Sequence, residues 1–458
     1  MKENRIVTPK EEKSIFFLGI GGISMCSLAA LAAGQGKRVG GCDRTESEIT
    51  AQLRAQGICL YPEAAACAVL DYDRVVYTLA APPQHPVLEL ARRHGIPCES
   101  RADYLGRQLL HYPIRIGVAG SHGKSSTTAM LGRILQQGGR EPTVLCGANM
   151  HDFDDRPYRI GGADTVLFEA CEYRDAFLSF SPTCALLLNL EHDHVDYFAD
   201  TAQLGRSFAA FAQKAEQTVY CADDKALCEA LQDYRGKRIT FSLGGEADYT
   251  ATEPSVCGTQ ARFTLCEQGR AVARICLRQG GIYNVKNALA AAACARAMGV
   301  GIGSVVAGLQ GYGGIGRRME YVGALGDTAV YSDYAHHPTE VRSALCHAAL
   351  LAKERAGRVL CVFQSHTYSR SQAFLADFIQ ALSRADVAWI LPVYAARETQ
   401  GEHDPAALLA RAIHAPLLSD FNAVLPAVKK EAQAGDVLLL MGAGDVDRLR
   451  FVLCPKKG

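Results

Sequence analysis

The sequence predicts a three-domain α/β protein. Three observations carry this: apolar strands run into a special loop and then a helix at three separate places, 458 residues suit about three cores, and the composition is ordinary for a folded soluble chain. Lys plus Arg and Asp plus Glu number 48 each, so no net field favours nucleic acid or an anionic surface, and no nucleic-acid partner is expected. No apolar run reaches about eighteen residues, so no membrane insertion is expected. The polar start MKENRIVTPKEEKS does not read as a signal peptide, and the expected location is cytoplasmic. Seventeen scattered cysteines without a C-x-x-C pair read as small buried hydrophobes in a reducing compartment.

The first beginning is SIFFLGIGGISMCSLAALAAGQG. Ile15 to Leu18 read as a buried strand, Gly19, Gly21 and Gly22 as the turn, and Ser24 to Ala33 as a helix stopped by Gly34. A second strand ends at Asp43, 24 positions after Gly19. This is close to the Rossmann dinucleotide fingerprint, with Ser24 in place of its last glycine. It predicts a Rossmann-like unit in which Gly21, Gly22 and Asp43 meet a phosphate or ribose, the rival being simply a tight strand–helix turn.

The second beginning is PIRIGVAGSHGKSSTTAMLGRILQQGG. Ile114, Ile116 and Val118 alternate as a strand, and Ser125 to Gln137 carry helical periodicity. Between them, Gly120, Ser121, His122, Gly123, Lys124, Ser125 and Ser126 form a phosphate-binding loop with displaced glycines but an intact G-K-S tail. Loop amides turn toward phosphate oxygens, Lys124 reaches the β/γ-phosphates, and the Ser125 hydroxyl suits Mg²⁺. An acidic partner follows in TVLFEACEYRDAF, with Glu169 at the strand end and Glu172 next. CALLLNLEHDHVDYF then delivers Asn189, Glu191, His192, Asp193 and His194 to the same edge. A zinc site in the His-Asp-His run is the rival to magnesium, and a solvated loop is the rival role for Glu172 and His192.

The third beginning, TAVYSDYAHHPTEVRSALCHAAL, places Asp333, Tyr334, His336 and His337 in a strand-end loop. RVLCVFQSHTYSRSQAF repeats the pattern with His366 and Arg370. This predicts a second Rossmann-like unit.

Seven motifs in order resemble the Mur ligase family of peptidoglycan synthesis. GSHGKSST resembles G-T-H-G-K-T-[ST]-T, and FEACEYRDAF resembles the family's E-A-C-E-Y segment. NLEHDHVDYF resembles N-[IV]-x-x-D-H-x-D-x-[YF], IYNVKNALAA resembles H-N-V-x-N-A-x-A-A, and GIGRRME resembles G-x-x-R-R-[FM]. YSDYAHHPTEV resembles D-D-Y-x-H-H-P-T-E, and FQSHTYSR resembles F-Q-P-H-x-[YF]-[ST]-R. Ser24, Ser125, Tyr283, Ser332 and Ser365 depart from these patterns.

The resemblance implies a UDP-sugar-binding domain at 1–112, a P-loop ATPase domain at 113–319, and a closing, amino-acid-binding domain at 320–458. It is nearest the branch that joins L-alanine to UDP-N-acetylmuramate with ATP and Mg²⁺, as a monomer or homodimer. It implies Lys124, Glu169, His194 and Arg370 in catalysis, and Ser125, Glu169 and His194 on the metal. ATP would meet the loop with Asn287, Arg317 and Asp333, and the amino acid would meet His336, His337, His366 and Arg370. A ligase adding another amino acid or a preformed peptide, an NAD-dependent dehydrogenase and a non-catalytic nucleotide-binding relative are the competing readings.

Overall fold

The computed structural model describes residues 12–396, 398–399 and 403–455. Three sheets follow one another along the chain. The first has five parallel strands, in spatial order Cys59–Tyr61, Arg38–Cys42, Ser14–Leu18, Arg74–Tyr77 and Cys98–Ser100. Helix Ile23–Gly34 starts where the glycine turn ends the strand Ser14–Leu18. Its apolar side carries Met25, Leu28 and Leu31 into a core shared with the second sheet, so the two units are joined by continuous packing.

The second sheet has ten strands, and Ile114–Ala119 lies inside it between Cys184–Leu187 and Thr165–Glu169. All three run parallel, which brings the phosphate loop, Glu169 and the segment after Leu187 to one edge. The sequence reading did not foresee the outer antiparallel strands Tyr249–Cys257, Gln260–Glu267 and Arg270–Leu277. They are joined by tight turns with Gly258 and Gly269 at positive φ, and carry no loop motif that would announce them.

The third sheet orders Glu320–Leu325, Thr328–Asp333, Val437–Met441, Val359–Phe363 and Val387–Ile390. All pairs are parallel except the hairpin of the first two. Val359–Phe363 and Val437–Met441 are wholly buried, as expected for strands covered on both faces. All seventeen cysteines are free thiols. Cys59, Cys67, Cys257 and Cys346 are exposed, so burial accounts for only part of the set. No helix among the described residues is long and apolar enough to cross a membrane.

Candidate active site

The phosphate loop closes on itself through glycine geometry. Gly120 (φ 151°) and Gly123 (φ 84°) sit where L side chains are strained, and a Cβ on Gly123 would lie 2.5 Å from Asn287 Oδ1. Gly123 caps helix Lys124–Gln137, whose N-terminal amides face the loop. Asn189 pins the loop by accepting from His122 N–H at 2.8 Å and donating to its carbonyl at 3.0 Å. Ser121 Oγ donates to the Glu191 carbonyl at 2.8 Å, so this hydroxyl fastens the loop to the neighbouring strand end.

Lys124 donates to both oxygens of Glu172 at 3.0 Å. Glu172 is 1% exposed, which removes the solvated-loop role. Burial disfavours the Lys124 charge, but Glu172 more than compensates and the ammonium is held on. Glu172 also lies 3.7 Å from His194 Nε2. Glu169 accepts from the Gly147 amide and from Cys146 Sγ, and a Cβ at Gly147 would meet Glu169 Oε2 at 2.9 Å. Glycine there leaves room beside the carboxylate.

Lys124, Ser125, Glu169 and His194 line one cleft of about 820 Å³, with Ile23, Glu48 and Ile49 from the first unit, Arg317 and Arg318 from the segment just before the third sheet, and Tyr334, His336 and Arg450 from the last. Ser125 and Glu169 supply hard oxygen donors of the kind Mg²⁺ takes. Burial lowers the pKa of His194, which leaves its ring neutral with a lone pair to offer. The residues present therefore fit the ion.

A second pocket, about 400 Å³, adjoins the loop and is lined by His122, Ser126, Tyr283, Asn287, Arg318 and Asp333, among others. Asn284 turns back to donate to the Gly280 carbonyl at 2.7 Å, so of the two asparagines Asn287 faces the pocket. Arg318 lines this pocket, whereas Arg317 donates to the carbonyls of Gly442 (2.6 Å) and Gly444 (3.0 Å). Asp333 uses its carboxylate to hold the amides of Met319 and Ala335, both at 2.8 Å. Tyr283 stands under Gly281 as a wall of the pocket, and its hydroxyl meets His347 Nδ1 at 3.2 Å.

A third pocket, about 330 Å³, lies between the first two units and includes Gly22, Ser24, Thr78, Arg101, Lys124 and Glu169. Asp43 holds this entrance from behind by accepting from Gly21 N–H at 2.9 Å. Arg101 went unmarked in the sequence, because it opens an ordinary helix, Arg101–Leu109, with no motif around it.

The four C-terminal candidates do not form one open pocket. His336 lines the large cleft, and its Nδ1 lies 3.0 Å from the Tyr334 carbonyl. His337 is 3% exposed, caps helix Pro338–Glu354 and packs on His122 at 4.7 Å between ring centroids. His366 stacks on Tyr394 at 5.6 Å. Arg370 donates Nε and Nη2 to Asp193 Oδ1 at 3.0 and 2.9 Å. In this arrangement its fork is committed to the central unit and not open to an incoming carboxylate. The His-Asp-His run does not gather: His192 Nε2 meets the Phe198 carbonyl at 3.0 Å and Asp193 serves Arg370. His194 (φ 54°) and Arg317 (57°), both lining the large cleft, hold left-handed backbone. Such strain gathers at working sites.

A phosphate loop feeding a cleft shared by three sheets defines a nucleotide-dependent enzyme class, and the comparisons agree. The Mur ligase family profiles match in sequence: the "catalytic domain" at 14–113, the "middle domain" at 118–295 and the "glutamate ligase domain" at 317–444. The chain belongs to the Mur ligase family. Within it, the chain is similar to the UDP-N-acetylmuramate–L-alanine ligase of Acetivibrio thermocellus, 36% identical over 97% of this chain and 96% of that one. The enzyme of the same name from Agathobacter rectalis is 36% identical over 94% and 95%. Among solved structures, the UDP-N-acetylmuramate–alanine ligase of Thermotoga maritima superposes with a TM-score of 0.82 at 26% identity, covering 96% and 98%. A murein peptide ligase from Psychrobacter arcticus reaches 0.75 at 25% identity, covering 97% and 100%.

Proposed function

We propose that the chain joins L-alanine to the lactyl carboxylate of UDP-N-acetylmuramate, with conversion of ATP to ADP and phosphate. The observation that carries this is the single cleft in which Lys124, Ser125, Glu169 and His194 meet residues of both flanking units. The nucleotide belongs in the Asn287 pocket with its phosphates on the loop, and the UDP-sugar in the pocket of Gly22, Ser24 and Arg101.

A carboxylate and a triphosphate repel each other, so the first step needs cations around both. Lys124 and the amides at the start of its helix hold the phosphates, and Arg318 approaches from the segment that leads into the closing unit. Ser125, Glu169 and His194 would hold Mg²⁺, which when bound neutralises phosphate charge. The carboxylate oxygen attacks the γ-phosphorus and ADP leaves, giving an acyl phosphate. The alanine amine attacks the acyl carbon, phosphate departs, and an amide remains. One proton must leave the ammonium before attack, and a second leaves the nitrogen as the amide forms and can depart on the phosphate. For the first, His336, which lines the cleft, is the acceptor we assign: its Nδ1–H is held by the Tyr334 carbonyl at 3.0 Å and by Glu340 Oε2 at 3.3 Å, which leaves the lone pair on Nε2. Closure of the C-terminal unit keeps water from the acyl phosphate.

The test is phosphate release from MgATP with UDP-N-acetylmuramate and L-alanine, glycine, L-serine or no amino acid, with Lys124→Ala as control. Release that needs an amino acid and vanishes in the control supports the ligase, and the fastest amino acid names its substrate. The murein peptide ligase neighbour gives a preformed peptide as the second amine donor to try. Release with the peptide alone would replace the alanine reading.

A further inference from the structure

Glu191, which directly precedes the run first considered for zinc, reaches a different pair of histidines. One nitrogen each of His122 and His337 and one oxygen of Glu191 lie within 4.8 Å of one another. They come from the phosphate loop, from the segment after strand Cys184–Leu187, and from the cap of helix Pro338–Glu354. The cluster therefore spans the seam between the central and C-terminal units.

Each member is supported from behind. His122 Nε2 meets Glu191 Oε2 at 2.9 Å, and its Nδ1 lies 3.4 Å from Glu340 Oε1. Thr339 Oγ1 donates to the other Glu191 oxygen at 2.5 Å. The His337 ring is packed between His122 and Phe374. It is 3% exposed, yet its Nε2 has no hydrogen-bond partner. A buried polar atom left unpaired is costly and asks for a ligand.

We propose that His122, Glu191 and His337 form an inter-domain site for a borderline divalent cation of the zinc class, separate from the magnesium position at Ser125 and Glu169. Two imidazoles and one carboxylate are the donor set of such ions, and three protein ligands leave a fourth position open. That position faces the nucleotide pocket, which His122 and Glu191 also line, so water or a phosphate oxygen completes the shell. The Glu340 carboxylate behind His122 is the outer partner that metal-bound imidazoles use. On binding, His122 gives up the proton it shares with Glu191. His337, whose Nδ1 accepts from the Thr339 amide at 3.4 Å, forgoes that contact and shifts its proton from Nε2 to Nδ1, which frees the Nε2 lone pair for the ion. The ion staples the phosphate loop to the C-terminal helix and holds the two units together. Inhibition by excess zinc follows from this staple and rests on the ligase reading, whereas metal binding does not.

The test is titration of the full-length protein with Co²⁺ in saturating Mg²⁺, followed by its visible absorption, which separates imidazole–carboxylate from thiolate ligation. Wild type and Glu169→Gln are expected to bind one equivalent with a four-coordinate spectrum. Glu191→Gln and His337→Gln, each verified as folded by circular dichroism, should bind at least roughly tenfold more weakly. If one variant fails to fold, the other decides. Undiminished binding in a folded Glu191→Gln or His337→Gln, or loss of the spectrum in Glu169→Gln, would overturn the site. Co²⁺ binding as expected, with no phosphate release from MgATP when Co²⁺ is left out, would fault the ligase reading and leave the site standing.

Discussion

Asp193→Asn tests what holds the C-terminal unit against the central one. Arg370 and Asp193 are 177 positions apart, meet at 2.9 Å, and their side chains are 9% and 6% exposed. Burial opposes ionisation of Asp193, but Arg370 outweighs it and holds the carboxyl well below the usual range, so the pair is charged at neutral pH. Asparagine keeps the shape and one acceptor but removes the charge, leaving a buried guanidinium without a counter-ion. Breaking a buried pair this way costs about 3–5 kcal/mol. The retained acceptor argues for the lower end, about 3 kcal/mol, or roughly 150-fold in an equilibrium constant. The guanidinium recovers water when the units part, so the cost falls on the closed arrangement and not on either core. Small-angle X-ray scattering of the ligand-free protein should show a larger radius of gyration for the variant. A double-mutant cycle with Arg370→Met, read by denaturant unfolding, should return a coupling of kcal/mol size. Scattering identical to wild type with a coupling below about 0.5 kcal/mol would refute the latch.

Glu172→Gln removes the counter-ion of Lys124, so the ligand-free protein should melt earlier. The triphosphate restores the missing charge, so MgATP should raise the melting temperature more than in wild type; equal shifts would count against the pairing. Gly123→Ala forces a Cβ onto Asn287 at positive φ and should weaken nucleotide binding in a fluorescence titration, with about 1–3 kcal/mol of strain. Ser332 is fully buried and donates to Asp447, so Ser332→Asp sets carboxylate against carboxylate and should cost more in urea unfolding than Ser332→Ala, which loses about 1 kcal/mol. Burial, with neighbouring cations, pushes His337 and His366 down to about 4. Between roughly pH 6.5 and 4 the unfolded chain binds protons the native one refuses, so stability should fall with pH across that window. His122 works in the opposite sense: burial resists its charge, but hydrogen bonds to Glu191 and Glu340 push it up to about 9. Its contribution is complete below roughly pH 6.5 and lost as pH rises through about 9, so urea unfolding at several pH values should show loss on both sides of neutrality.

Local pattern made the strand–loop–helix beginnings legible. Helix Lys124–Gln137 begins one residue before the periodicity placed it, and helix Ile23–Gly34 departs by one residue at each end. The glycine loop was readable because the positive φ of Gly120 and Gly123 demands glycine at fixed spacing, and Glu169 stood out as a carboxylate at a strand end. Glu172 was ambiguous, since nothing nearby in sequence tells whether a glutamate after a strand meets water or a buried lysine. Arg101 gave no signal at all. Ser332, met in the sequence as a departure from a paired-aspartate pattern, acquires its reason only from Asp447, 115 positions away.

The sequence by itself determined the three strand–loop–helix beginnings, the glycine-rich loop expected to take phosphate, and the family to which the chain belongs. These depend on interactions within some twenty residues, where spacing and chemistry are visible together. Tertiary structure decided the partners of the charged groups: Lys124 with Glu172, Arg370 with Asp193, and His122 with Glu191 and His337. Buried charges and polar atoms require a partner, and which partner they find depends on how separate sheets pack, over separations that local pattern does not encode.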